Sequence, residues 1–125
     1  EHPEYTPAER DAAYLALEKK YRPYLSFEGI PYLELGTRWQ YQMHIYETPF
    51  YYIDYCLAQT VALGFLIESR RDRKDAFDRY LRFVRAGGQK AFPELVREAG
   101  LPSPFTDGAL AELAKKVIGI AESLS

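Results

Sequence analysis

Apolar residues along this chain recur at helical spacing. In residues 7–20, 72–86 and 107–124 they return every three or four positions, which places them on one face of a helix. No stretch shows the sustained alternation of apolar and polar residues that marks a half-buried strand. The pattern therefore predicts an all-α fold, a helical bundle that forms a single unit over residues 1–125.

The first helix has a clear start signal. The sequence TPAE at residues 6–9 has the form of a capping box with proline at the first helical position. Along the helix that follows, Ala13, Leu17 and Tyr21 share one face. The spacing predicts that this face is buried and that Glu18 lies in solvent.

Later boundaries follow from proline and from capping residues. Pro49 lies inside an apolar pattern that continues over residues 50–70. Because proline removes a backbone hydrogen bond and clashes with the preceding turn, we expect a kink or a new helix start there. Asp72 is predicted to cap the next helix, and Thr106 or Asp107 the last one.

Composition and charge exclude several classes of protein. The net charge of −2 gives no global attraction to nucleic acid or to an anionic membrane. No apolar run reaches the length of a membrane span. The single cysteine, Cys56, cannot form an internal disulfide, which fits a reducing compartment. We therefore expect a cytoplasmic protein without a nucleic-acid or membrane partner.

The segment HIYETPFYYIDY, residues 44–55, carries four tyrosines and a histidine. In an unbroken helix His44, Tyr51 and Tyr55 would share a narrow sector, with Tyr52 one step around. Phenols beside an imidazole are donors of the kind that stabilise a developing oxyanion. The alternative is a tyrosine-rich packing face whose hydroxyls reach solvent or carbonyls, and composition alone favours it.

Other catalytic motifs are missing from the sequence. It has no Cys-x-x-Cys pair, no glycine-rich phosphate loop and no Gly-x-Ser-x-Gly elbow. His44 and Glu47 are spaced to share a metal on a helix, but two ligands do not make a zinc site.

Three separated blocks resemble one known family. They are PEYTPAERDAAY, QYQMHIYETPFYYIDYCLAQ and RAGGQKAFPELVREAGLPSPF. Together they resemble the C-terminal end of oligoendopeptidase F and its relatives in the thimet-oligopeptidase-like group of zinc metallopeptidases. The resemblance implies an all-α enzyme that hydrolyses short peptides internally within an enclosed channel.

The motif that holds zinc in this family, His-Glu-x-x-His, does not occur in the chain. In the family it lies upstream of the segment resembled here. The resemblance therefore implies a C-terminal fragment of a peptidase catalytic domain, with the zinc ligands of the full-length parent outside this chain. The fragment itself is expected to hold no metal and to be inactive.

The resemblance also implies a set of site residues. It assigns His44, Tyr52 and Tyr55 as catalytic groups that reach the scissile carbonyl, with Tyr51 added to the substrate-binding set. The family's Tyr-x-x-Tyr spacing matches Tyr52 and Tyr55, whereas helix phase favours Tyr51 and Tyr55. The choice between Tyr51 and Tyr52 stays open.

Partners follow from the same resemblance. They are short peptide substrates, the remainder of the parent peptidase and, for the fragment alone, a second copy in a two-fold dimer that buries exposed apolar surface. Two other classes compete with the peptidase hypothesis. One is an independent helical protein-interaction module, and the other is a small metal- or ligand-binding bundle that uses His44, Glu47 and Asp54.

Overall fold

The computed structural model describes residues 2–124, and every regular element in that range is helical. The α-helices are α1 (Pro7–Tyr21), α2 (Met43–Glu47), α3 (Tyr52–Arg71), α4 (Arg73–Arg85), α5 (Phe92–Glu98) and α6 (Ala109–Glu122), with 3-10 helices at Leu33–Leu35 and Thr37–Tyr41. The predicted all-α class is confirmed. The chain divides into two compact units, of which the first ends at Tyr52 and the second begins at Ile53. The single-unit organisation over residues 1–125 stays a prediction.

Helix α1 begins as the sequence predicts but buries a different face. The Thr6 hydroxyl accepts a hydrogen bond from the Glu9 amide, and the Glu9 carboxylate accepts one from the Thr6 amide, so the capping box is complete. The predicted faces are wrong, because Leu17 and Tyr21 are exposed whereas Glu18 is buried. The side of α1 that carries Glu18 lies against the segment that contains the 3-10 helices, where Arg38 pairs with the carboxylate.

The segment Gly36–Tyr41 is fixed to α1 by close backbone approach and hydrogen bonds. Gly36 has a φ of +87°, and a Cβ at this position would lie 2.3 Å from the Asp11 carbonyl oxygen. The Trp39 indole donates to the Asp11 carboxylate over 2.8 Å. This packing places the start of α2, and with it His44, relative to α1.

Arg38 and Glu18 form a partly buried ion pair in the first unit. Arg38 Nη1 lies 2.9 Å from Glu18 Oε1, and the Glu18 side chain is only 7% exposed. The hydrogen bond to Glu18 is the main cause that raises the pKa of Arg38. Glu18 Oε2 is buried without a hydrogen-bond partner within the described part of the chain.

We expect Arg38→Met to destabilise the first unit by about 3 kcal/mol, since it leaves a buried carboxylate without its main counter-charge. Urea unfolding followed by far-ultraviolet circular dichroism measures this, because both units contain helices. Lys74→Met is the control, because Lys74 pairs with Asp78 in an exposed i,i+4 bridge whose loss should have little effect on stability. Equal small losses for both variants would show that the buried pair contributes no more than a surface pair.

The second unit has a small apolar core. It consists of Val61, Phe65, Val96, Ala99 and Leu101. Beside this core, Arg79 donates to the Glu68 carboxylate over 2.6 Å and to the Ala99 carbonyl over 2.9 Å. These bonds tie α3, α4 and the end of α5 together.

Two predicted helix starts have different outcomes. The Asp72 carboxylate accepts from the Asp75 amide over 3.0 Å, so the predicted cap of α4 is confirmed. The predicted cap of α6 is wrong: the helix starts after Gly108, whose φ is +79°, and no side chain caps it. Gly108 adopts a left-handed backbone conformation, which glycine tolerates because it has no Cβ, and it occupies the position where a residue with a capping side chain was expected. Within residues 2–124, no helix is both long and apolar enough to cross a membrane.

Candidate active site

The candidate site is built around the break between α2 and α3. Helix α2 ends at Glu47, a turn follows, and α3 begins at Tyr52. Phe50 in this turn has a φ of +72°, which is rare for a bulky residue. The break predicted at Pro49 is confirmed. Because the helix is interrupted, the unbroken-helix phase that favoured Tyr51 over Tyr52 does not apply.

The His44 imidazole lies against two phenol rings. Its ring centroid is 5.7 Å from that of Tyr51, with the planes 10° apart, and 4.6 Å from that of Tyr52, with the planes 33° apart. The turn that follows α2 brings the Tyr51 and Tyr52 rings beside that of His44. Both tyrosines that sequence reasoning left open are therefore neighbours of His44.

The hydroxyl of Tyr52 has a defined partner. It donates a hydrogen bond to Oε1 of Gln42, the residue between the second 3-10 helix and α2. Sequence reasoning missed Gln42. The only sequence signal was its position two residues before His44, which by itself does not distinguish it from a surface glutamine.

The two phenols beside His44 are partly in solvent. Tyr51 is 45% exposed and Tyr52 is 41% exposed. They therefore do not fill a core. Rings that pack along one side and remain open along another can present hydroxyls to a bound molecule.

Tyr55, the remaining predicted site residue, lies in the first turn of α3 and belongs to the second unit. It follows Tyr52 by three residues, which is close to one helical turn. Its side chain is 53% exposed.

Charged groups of the first unit act near Tyr52. The pKa of Arg38 is raised mainly by the hydrogen bond with Glu18, and Tyr14 and Tyr52 contribute to the rise. The pKa of Tyr14 is also raised, first by burial and next by the charge of Glu18. Tyr52 therefore lies within electrostatic range of the buried ion pair.

The described residues do not fit a zinc centre. Between residues 2 and 124, no group of three or more His, Cys, Asp or Glu side chains is placed to hold a metal ion. A zinc site needs at least three protein ligands, so the metal-binding alternative gains no support from the described residues.

Open cavities with largely apolar linings also occur within the second unit. One, of about 750 Å³, is lined mainly by apolar side chains of α3 and α4, including Leu57, Phe65 and Phe83. Another, of about 630 Å³, lies between α3, the loop that begins at Leu101, and α6. Cavities with apolar linings of this kind are typical of packing surfaces rather than of catalytic sites.

Comparisons with known proteins show similarity to solved structures. No protein-family model and no curated protein sequence matches the chain. Among solved structures, PZ peptidase A with an inhibitor is 48% identical to it with a TM-score of 0.88, and an oligoendopeptidase F is 43% identical with a TM-score of 0.88. Each match covers 98% of this chain and 22% of the solved chain.

The helical fold and these similarities support a peptidase-family origin of the chain. More narrowly, it belongs to the family of oligoendopeptidase F and PZ peptidase, as the resemblance in its sequence indicated. It spans about a fifth of the length of the family members it matches, 22% in each case.

Proposed function

We propose that the chain is the C-terminal, substrate-cleft portion of a zinc-dependent oligoendopeptidase that hydrolyses short peptides internally. The observation that carries this proposal is the contact of His44 with Tyr51 and Tyr52, in a chain that is 48% identical to a peptidase over almost its whole length. The inhibitor bound by that peptidase supports a ligand site in the family.

The proposed role of the site is to donate hydrogen bonds to the substrate. Hydrolysis of a peptide bond places negative charge on the scissile carbonyl oxygen as the tetrahedral intermediate forms. Phenol hydroxyls held in place before the reaction stabilise that oxyanion more than they stabilise the ground-state carbonyl. We assign this role to Tyr52 and Tyr55, with His44 as the neighbouring donor and Tyr51 in the substrate-binding set.

The proposal assigns zinc to the remainder of the full-length parent. The described residues supply no set of three ligands, and the chain has no His-Glu-x-x-His. The zinc ligands would therefore come from outside these residues, and the groups of this chain act on the substrate rather than on the metal.

The remainder of the peptidase is also the proposed partner of the exposed apolar surface. The cavity lined by Leu57, Phe65 and Phe83 would be covered by the rest of the enzyme. In the chain alone, a second copy in a two-fold dimer would cover it instead. The proposed location of the enzyme is the cytoplasm.

The test uses the full-length gene product and short, internally quenched peptides. Cleavage inside the peptide, lost on chelation and restored by zinc, is the expected result. A full-length product that folds but cleaves none of a diverse peptide library would contradict the proposal, and would favour the helical interaction module instead.

The isolated chain is expected to hold no stoichiometric zinc and to hydrolyse no peptide, because its two histidines cannot complete a tetrahedral ligand set. Elemental analysis after dialysis and the same peptide assay check this. The full-length product is the positive control. One zinc retained per isolated chain would overturn the assignment of the metal to the rest of the enzyme.

A further inference from the structure

We infer that Gln42 is a positioning residue for Tyr52, an inference that rests on the proposed function. Gln42 accepts the hydrogen bond that the Tyr52 hydroxyl donates, while the Tyr52 ring packs on His44 with a centroid distance of 4.6 Å. His44 thus contacts the Tyr52 ring, and Gln42 holds the Tyr52 hydroxyl. Together the two contacts define where the phenol proton points.

The location of Tyr52 explains why such a tie matters. It is the first residue of α3 and directly follows a turn in which Phe50 has a positive φ. A first helical residue belongs to the end of the helix that frays most readily. With 41% of its surface exposed, Tyr52 gains orientation from its contacts with Gln42 and His44 rather than from burial.

Gln42 is itself held in a defined place. It follows the 3-10 helix Thr37–Tyr41, and its backbone amide donates to the Trp39 carbonyl over 3.0 Å. The Trp39 indole in turn donates to Asp11 on α1. Gln42, whose amide oxygen accepts the hydrogen bond from the Tyr52 hydroxyl, is therefore connected to α1 through the hydrogen bonds of Trp39.

This arrangement has a chemical consequence. A phenol has one proton to donate, and in the free enzyme Gln42 accepts it. When charge develops on the scissile carbonyl oxygen, that oxygen becomes the stronger acceptor, since hydrogen bonds to charged groups are stronger than those to neutral ones. Gln42 thus holds the Tyr52 hydroxyl in place in the free enzyme, and the hydroxyl redirects its hydrogen bond to the oxyanion when that charge develops.

The test is a double-mutant cycle in the full-length enzyme, with Gln42→Leu and Tyr52→Phe made singly and together. We expect Gln42→Leu to lower kcat about tenfold with a small change in KM, because one neutral hydrogen bond that orients the donor is lost. In the Tyr52→Phe background, Gln42→Leu should have almost no further effect. Gln40→Leu is the matched control, since Gln40 instead donates to Asp11 at 3.3 Å.

The outcomes separate the two proposals. Two results overturn the positioning role and leave the proposed function in place. One is that Gln42→Leu lowers kcat equally in the wild-type and Tyr52→Phe backgrounds. The other is that Gln42→Leu leaves kcat of the wild type unchanged while Tyr52→Phe lowers it. A Tyr52→Phe enzyme with unchanged kcat removes Tyr52 from the proposed function, and the role of Gln42 fails with it. If Gln42→Leu lowers kcat of the wild type but not of the Tyr52→Phe enzyme, both the positioning role and the proposed function are supported.

Discussion

Replacing Tyr55 with phenylalanine in the full-length peptidase is expected to lower kcat roughly 100- to 1,000-fold, the cost of removing one oxyanion donor. The substitution deletes a single hydroxyl from a side chain that is 53% exposed, so it leaves no cavity in a core. Because the hydrogen bond proposed between the Tyr55 hydroxyl and the oxyanion is strongest in the transition state, kcat and kcat/KM should fall by similar factors.

Steady-state kinetics, zinc content and thermal unfolding of the same preparation check this result. Zinc content and unfolding temperature should match those of the wild type. Tyr24→Phe is the control, since Tyr24 is 79% exposed and lies outside the helices of the first unit. Equal, small kinetic effects for the two variants would mean that the Tyr55 hydroxyl is structural.

The sequence predicted those features of the fold that depend on local chemistry. The capping box at Thr6, the break at Pro49 and the cap at Asp72 are all in the structure. Each depends on residues within a few positions of one another, so the pattern contains the information that decides it.

The features that the sequence did not predict depend on distant contacts. Glu18 is buried because Arg38, twenty residues away, pairs with it. A helical pattern indicates which residues share a face, but not which face a neighbouring segment covers. The exposure of Leu17 and Tyr21 has the same cause, since their face is left open in the described residues.

The candidate site shows the same division. The family resemblance implied His44 and three tyrosines as site residues, and the structure adds that Tyr51 and Tyr52 both contact the imidazole. Helix phase could not predict this, because the turn around Phe50 interrupts the helix. The contact of Gln42 could not be predicted either, since it forms only when that turn brings the Tyr52 hydroxyl to the Gln42 amide oxygen.

Gly36→Ala is expected to destabilise the first unit by about 3 kcal/mol or more, the sum of backbone strain and overpacking. Gly36 has a φ of +87°, and a methyl group there would lie 2.3 Å from the Asp11 carbonyl oxygen and 2.7 Å from the Leu15 Cβ. Backbone cannot yield as the end of a flexible side chain can, so the segment must move away from α1.

Gly29→Ala separates the two causes of that loss. Gly29 has a similar φ of +74° but no atom within 4 Å of the added Cβ, so only the backbone cost of about 1 kcal/mol applies. Urea unfolding of the 125-residue chain, followed by the fluorescence of Trp39, measures both variants. Because Trp39 donates to Asp11 over 2.8 Å, the Gly36 variant should also change the native emission. Equal losses in the two variants would mean that the close approach of Gly36 to α1 adds nothing to stability.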